Sequence, residues 1–324
     1  MIWKKLAASL ALATLILGGC AAAVDRRATA REAAAEAEFP PEGQFVTVDG
    51  LRLHALVRGS GPDLVLIHGA SGNARDFSFD LMNRLATRYR VIAFDRPGLG
   101  WSDDAGARGV SPLVQGDLLR RAAAELGARR PLVLGHSYGG AVALGWALTA
   151  PEPPAGLVLV SAATMPWPGG LGPYYAVTGS RIGAATVVPL IAAFAPPAQV
   201  ATTMEGIFAP DAVPAGYADH IGTGLTLRRG SLRANAAQIT RLRPHVVEMA
   251  PNYPRLDLPV ELLHGDADTI VPLAVHSAPL ARLLPDAQLT VLPGVGHMPH
   301  HAAPEAVIAA IDRAALRARL RPAP

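Results

Sequence analysis

From residue 45 onward the chain alternates short, almost wholly apolar runs with longer stretches of helical periodicity, and this alternation restricts the fold more than any other feature. The runs fall at 64–67, 91–94, 132–134, 157–160, 260–263 and 289–292. None offers a polar face, so each is expected to be buried on both sides, as strands are in a parallel sheet between two layers of helices. Ahead of them, 45–48 and 51–57 flank Asp49-Gly50, a two-residue hairpin signal, so the sheet is expected to begin with an antiparallel pair. Helices are expected near 76–87, 112–126, 138–150, 273–284 and 304–319. The fold class is therefore α/β: an eight-stranded, mostly parallel sheet flanked by helices. Half of the 324 residues are apolar and 17% are charged, which excludes disorder as the main state.

The rhythm breaks between 161 and 259, where Pro and Gly are abundant and no buried strand is apparent. A structureless loop of that length would be anomalous in a compact domain, so 162–258 is read as an inserted helical cap. Trp167, Tyr174, Tyr175, Ile207, Phe208 and Met249 are its candidate pocket-lining residues, with packing of the cap's own core as the alternative for each.

The amino terminus obeys different rules. A short basic stretch with Lys4 and Lys5 precedes twelve residues, 6–17, that are apolar except for Ser9 and Thr14. Twelve helical residues span about 18 Å, short of a ~30 Å hydrocarbon core but right for a signal peptide. The stretch ends in Leu17-Gly18-Gly19-Cys20, which resembles a bacterial lipobox, and Cys20 is the only cysteine. Residues 1–19 are therefore expected to be a signal peptide, Cys20 the site of lipid attachment, and 20–44 an Ala-rich tether that can be partly helical. An uncleaved anchor helix is the alternative. Either arrangement places the domain outside the cytoplasm, in the cell envelope, with the membrane as a partner. The formal charge is +3, and removal of Lys4 and Lys5 would leave +1. With no run of like charge, nucleic acid is not expected as a partner.

Chemistry enters at 132–141, LVLGHSYGGA. Gly135-His136-Ser137-Tyr138-Gly139 follows an apolar run and opens a stretch rich in small residues. That is the context in which a G-x-S-x-G turn thrusts a serine hydroxyl out of the backbone. A serine needs a base, and the base an orienting carboxylate. Asp266 and Asp268 follow the run at 260–263; His297 follows the run at 289–292. All would gather at the carboxyl ends of parallel strands, where open α/β sheets place their sites.

These residues, with His68-Gly69, the stretch Asp95-Arg96-Pro97-Gly98-Leu99-Gly100-Trp101-Ser102 and Gly296-His297, make the chain similar to the α/β-hydrolase superfamily, of the capped, serine-nucleophile type. The resemblance spans about 44–319. It implies an α/β-hydrolase core at 45–161 and 259–324, a triad of Ser137, Asp268 and His297, and an oxyanion hole made by the backbone N–H groups of Ala70 and Tyr138. Asp266 is assigned to capping the loop. Serine at the elbow sets the chain apart from relatives that carry aspartate there. His68, His136 and His264 are expected to be structural, and His300 and His301, without cysteine or an acidic cluster in sequence, are not taken as a metal site. No dinucleotide or Walker signature occurs, so no cofactor is expected. The implied activity is hydrolysis of a small to medium apolar carboxylic ester through an acyl-enzyme. Carbon–carbon bond hydrolysis, amide or iminopeptide cleavage and perhydrolysis are alternatives on the same triad, and a non-catalytic binding module is a remote one. Substrate identity and oligomeric state are left open.

Overall fold

A computed structural model describes residues 2–320. It omits Met1 and the last four residues of the expected core segment, and most side chains between 1 and 16, where the basic and apolar parts of the expected signal peptide fall, lie outside the described ones. The chain opens with helix α1 (Ile2–Glu38), then strands β1 (Gln44–Val48), β2 (Leu51–Arg58) and β3 (Asp63–Ile67). Helices α2 (Arg75–Ser78) and α3 (Leu81–Leu85) lead to β4 (Arg90–Phe94), and α4 (Pro112–Glu125), β5 (Leu132–His136), α5 (Tyr138–Thr149) and β6 (Gly156–Val160) follow. The insertion contributes α6 (Gly172–Thr178), α7 (Arg181–Phe194), α8 (Pro197–Phe208), α9 (Tyr217–Ile221), α10 (Thr223–Thr226) and α11 (Arg229–Met249). The chain then returns to the sheet with β7 (Val260–Gly265), α12 (Ser277–Leu283), β8 (Ala287–Leu292), α13 (Pro299–Ala302) and α14 (Pro304–Arg317).

The eight strands lie in the order β1-β2-β4-β3-β5-β6-β7-β8. The β1–β2 and β2–β4 pairs are antiparallel and the rest parallel. Strands β5 and β6 are buried at every position, as their apolar runs demand. Side chains of one sheet face join α4 and α5 in one core, while those of the other join α2, α3 and α14. Three expectations give way. Strand β8 is largely half-exposed, because it is the outermost strand among the described residues. The helix expected at 76–87 is two short helices broken at Phe79-Asp80, and that expected at 273–284 begins only at Ser277.

The segment read as a tether is helical and packed over most of its length. Residues 20–38 continue α1 without interruption, and the helix is docked on the cap. Ala28 is fully buried against Val188, Ala192 and Ala193 of α7. Arg27 Nε donates to the Ala193 carbonyl at 2.8 Å. From α11, Arg229 forms a two-pronged pair with Glu32 at 2.9 and 2.8 Å and reaches Asp25 and Thr29, while Arg228 pairs with Glu36. Among the described residues no single helix is long and apolar enough to cross a membrane; α6 and α7, bent by 105°, pass that test only as a pair.

Candidate active site

Strand β5 ends in a turn whose apex, Ser137, has φ 53° and ψ −118°. A side chain in that region costs ~1–3 kcal/mol and persists only where its surroundings enforce it. Here the flanking glycines do so: a Cβ on Gly135 would overlap the Gly139 carbonyl, and one on Gly139 the Ile67 carbonyl of β3. The Ser137 N–H donates to the Val160 carbonyl at 3.0 Å, tying the turn to β6.

Three strands deliver three side chains to one point. Ser137 Oγ lies 3.0 Å from His297 Nε2, and His297 Nδ1 lies 2.8 Å from Asp268 Oδ2. The other Asp268 oxygen accepts the N–H groups of Ile270 and Val271, each at 2.9 Å. Burial alone would raise the pKa of Asp268; hydrogen bonds from His264 and His297, the charge of His297 and the Val271 N–H overcome it and hold the carboxyl well below the usual range. His264 lies 3.3 Å from Asp268 Oδ2 and is fixed by Ser277 and the Val271 carbonyl, so it braces the carboxylate from behind. Asp266 accepts the Gly294 N–H at 2.7 Å and caps the turn that leads to His297.

The loop after β3 carries the second element. His68 Nε2 accepts the Arg96 N–H at 3.0 Å, and its Nδ1 donates to the Gly69 carbonyl at 2.8 Å. The Arg96 guanidinium is fully buried; it donates to the His68 and Gly69 carbonyls at 3.0 Å each and to Gln115 and Gln238. Its carbon lies 4.2 Å from the Tyr138 ring centroid. Burial lowers its pKa only to about 10, so it stays charged. With the Gly69 carbonyl drawn toward Arg96, the trans peptide it belongs to presents the Ala70 N–H on the opposite side. Among the described residues neither that N–H nor the Tyr138 N–H, at the start of α5, donates to a protein acceptor. From the cap, Asn235 accepts the Ser71 N–H at 2.8 Å and Thr226 donates to the Ser71 carbonyl. Sequence reasoning missed Arg96 and Asn235. Arg96 sat in a motif it had noted, but Asn235 had no local signal.

His136, His300 and His301 form a buried cluster of rings. His136 donates through Nε2 to the His297 carbonyl at 2.9 Å and packs against the rings of His297 and His300. Asp76 accepts from His300 at 3.0 Å, His301 at 2.8 Å and the Tyr217 hydroxyl at 2.8 Å. Burial works against its charge, but these donors hold it ionised, well below the usual carboxylate range. These are hydrogen-bond distances, and the network ties α2, α13 and the cap around the segment that carries His297. Of the pocket candidates, Ile207 and Phe208 pack with Met298 beside that histidine, and Trp167 packs on the sheet core. Met249 is buried in the core, Tyr175 is hydrogen-bonded to Ser71 and Asn235, and Tyr174 is exposed on the cap's exterior.

Residues 64–310 match the sequence model of the Alpha/beta hydrolase family. An uncharacterized protein of Mycobacterium tuberculosis is 31% identical over 318 residues, covering 87% of each chain. Among solved structures, a putative lipase from Acinetobacter baumannii superimposes with a TM-score of 0.67 at 21% identity, over 89% of this chain and 96% of that one. A thermophilic esterase from Thermogutta terrifontis gives 0.64 at 24% identity, over 84% and 97%. At these identities the two structures speak to the fold alone.

Proposed function

The chain belongs to the α/β-hydrolase family, and from that premise we propose that it is a serine hydrolase that cleaves a small to medium apolar carboxylic ester. Ser137 Oγ attacks the acyl carbon while its proton passes to His297 Nε2. The carbonyl electrons move onto the oxygen, which faces the N–H groups of Ala70 and Tyr138. Asp268 holds the Nδ1 proton and stabilises the imidazolium. Collapse of the adduct breaks the ester bond, and the leaving alkoxide takes the proton from His297. Water then repeats the sequence on the acyl-enzyme, with His297 as base, and releases the carboxylate.

The observation that carries this reading is the continuous contact from Ser137 through His297 to Asp268, at 3.0 and 2.8 Å. The apolar composition of the cap favours an apolar ester. Hydrolysis of a short-chain p-nitrophenyl ester tests it: Ser137→Ala abolishes turnover above the uncatalysed rate. Covalent labelling by a fluorophosphonate probe is expected in the native chain and lost in His297→Ala; full activity in Ser137→Ala would refute the assignment.

We further propose that the amino terminus holds the enzyme on a membrane outside the cytoplasm, through a lipid on Cys20 after cleavage or through the uncleaved helix. Cys20 is exposed on α1, which suits either. Incorporation of labelled fatty acid, lost in Cys20→Ser, distinguishes the two.

A further inference from the structure

Residues 162–210 contain two charged side chains, Arg181 and Glu205, in a chain that is 17% charged overall. That segment includes α6, α7 and α8, and of these α6 and α7 expose large apolar side chains. On α7, Ile182 is 78% exposed, and Leu190 and Phe194 follow eight and twelve residues on, each about half-exposed. With Thr186 between them they form an i, i+4 stripe on one helix face. Tyr174 and Val177 of α6 are similarly exposed, on a helix that meets α7 at 105°. Several large apolar side chains exposed together on two adjoining helices mark a candidate binding face.

What covers it is indicated by α1. The buried side of α7 packs on α1 at Ala28, and Arg27 and Arg31 of α1 donate to the Ala193 and Ala195 carbonyls at the end of α7. Going back along the same unbroken helix, residues 6–24 carry no charge. Cys20 stands eight residues before Ala28, about 12 Å at helical rise. The segment expected to enter a membrane is thus joined to the apolar stripe by one rigid element. A flexible tether would leave the cap's orientation free; a docked helix does not. Charge agrees with the placement. The Arg27 guanidinium lies 5.0 Å from the Phe194 ring centroid, and Arg181 stands at the corner of α6 and α7. A ring at the acyl boundary with a guanidinium beside it at headgroup depth is how side chains settle at an anionic interface.

We propose that the exposed face of α6 and α7 lies on a phospholipid bilayer, with Ile182, Leu190 and Phe194 at the acyl–headgroup boundary and Arg27 and Arg181 among the phosphates. The cap then faces the membrane, and apolar substrate reaches the enzyme from the lipid side. The surface contact rests on the membrane reading of the amino terminus and not on the hydrolase reading.

The test uses the full chain with Cys20→Ser, reconstituted into phosphatidylcholine–phosphatidylglycerol vesicles. An environment-sensitive fluorophore is attached at Ile182→Cys, Phe194→Cys, Leu17→Cys or, on β8, Val291→Cys. Lipid-borne nitroxide is expected to quench the label at 182 and 194 but not at 291. Quenching at 17 alone overturns the proposal while preserving the membrane anchor. A blue shift at 182 that grows with protein concentration without vesicles assigns the face to a second copy, and also overturns it. As an independent readout, the double variant Ile182→Asp/Phe194→Asp is expected to lose about tenfold in turnover of a long-chain ester dissolved in the vesicles, with p-nitrophenyl acetate turnover in solution unchanged. Equal loss on both substrates would count against the proposal, and the quenching result stands whether or not the chain hydrolyses esters.

Discussion

At the residue scale, the candidate site depends on groups that never touch the reacting atoms. Arg96 draws the His68 and Gly69 carbonyls to one side of the loop and so fixes where the Ala70 N–H points. A lysine keeps the charge but offers no planar fork to hold both carbonyls. Arg96→Lys is therefore expected to lower kcat by about ten- to a hundredfold, less than the ~10²–10³ for complete loss of an oxyanion donor, with KM changed little. Steady-state kinetics on a variant shown to melt cooperatively checks this; an unchanged kcat would mean that Asn235 and Thr226 hold the loop unaided. Asp268→Asn is expected to lower kcat on the order of 10⁴-fold while the variant stays folded, because an amide no longer enforces the tautomer that leaves His297 Nε2 free to accept the Ser137 proton. Ser137, His297 and the Asp266/Asp268 pair were legible because each follows its own apolar run, so that they gather at the carboxyl ends of the strands; the choice of Asp268 came from the family resemblance. Asn235 was not, since its partner Ser71 lies 164 residues away and a polar residue in a helix carries no mark of what it meets.

At the scale of elements, local pattern located all eight strands, because a run without a polar face has few other fates. It did not reveal that β8 lies at an edge, since position in the sheet is a property of the whole topology. Nor did it reveal the break in 76–87, where neither Pro nor Gly interrupts the sequence and Phe79 turns instead toward Tyr217 and His301. The Ala-rich stretch after Cys20 was ambiguous for a related reason: its acidic residues pair with arginines about two hundred positions away. The Arg229–Glu32 pair is the strongest of these contacts, with both side chains 19% exposed and three hydrogen bonds between them. Arg229→Ala removes the charged donors and is expected to cost about 1.5–3 kcal/mol of helix docking. Hydrogen exchange would show it directly, as faster exchange across 25–38 with protection of β5 and β6 retained. Unaltered exchange in that helix would mean that the packing around Ala28 suffices by itself.

At the scale of the whole molecule, several imidazoles are built into the interior as neutral groups, and this sets how the fold responds to acid. His68 Nε2 accepts the Arg96 N–H, and His276 Nδ1 accepts the N–H groups of Thr164 and Met165 at 3.2 and 3.1 Å. A ring nitrogen that receives an N–H needs its lone pair, so protonation would set donor against donor. Burial and nearby positive charge lower both pKa values to about 4, and burial holds His136 well below the ordinary 6.5. In the unfolded chain all three bind protons near 6.5. Between pH 6.5 and about 4 the unfolded state therefore carries protons that the folded state refuses, and stability falls as pH falls through that window. Each histidine contributes a slope of about 1.4 kcal/mol per pH unit there and none above it. The depressed carboxylates Asp76, Asp95 and Asp268 act with the same sign at lower pH, where the unfolded chain begins to protonate them. The expected outcome is a melting temperature flat from pH 8 to about 7 that drops steeply below 6.5. His276→Asn, whose amide oxygen accepts a backbone N–H without titrating, should make that slope shallower by one proton. A melting temperature constant down to pH 5, or a slope untouched by His276→Asn, would show that these rings are protonated in the folded protein.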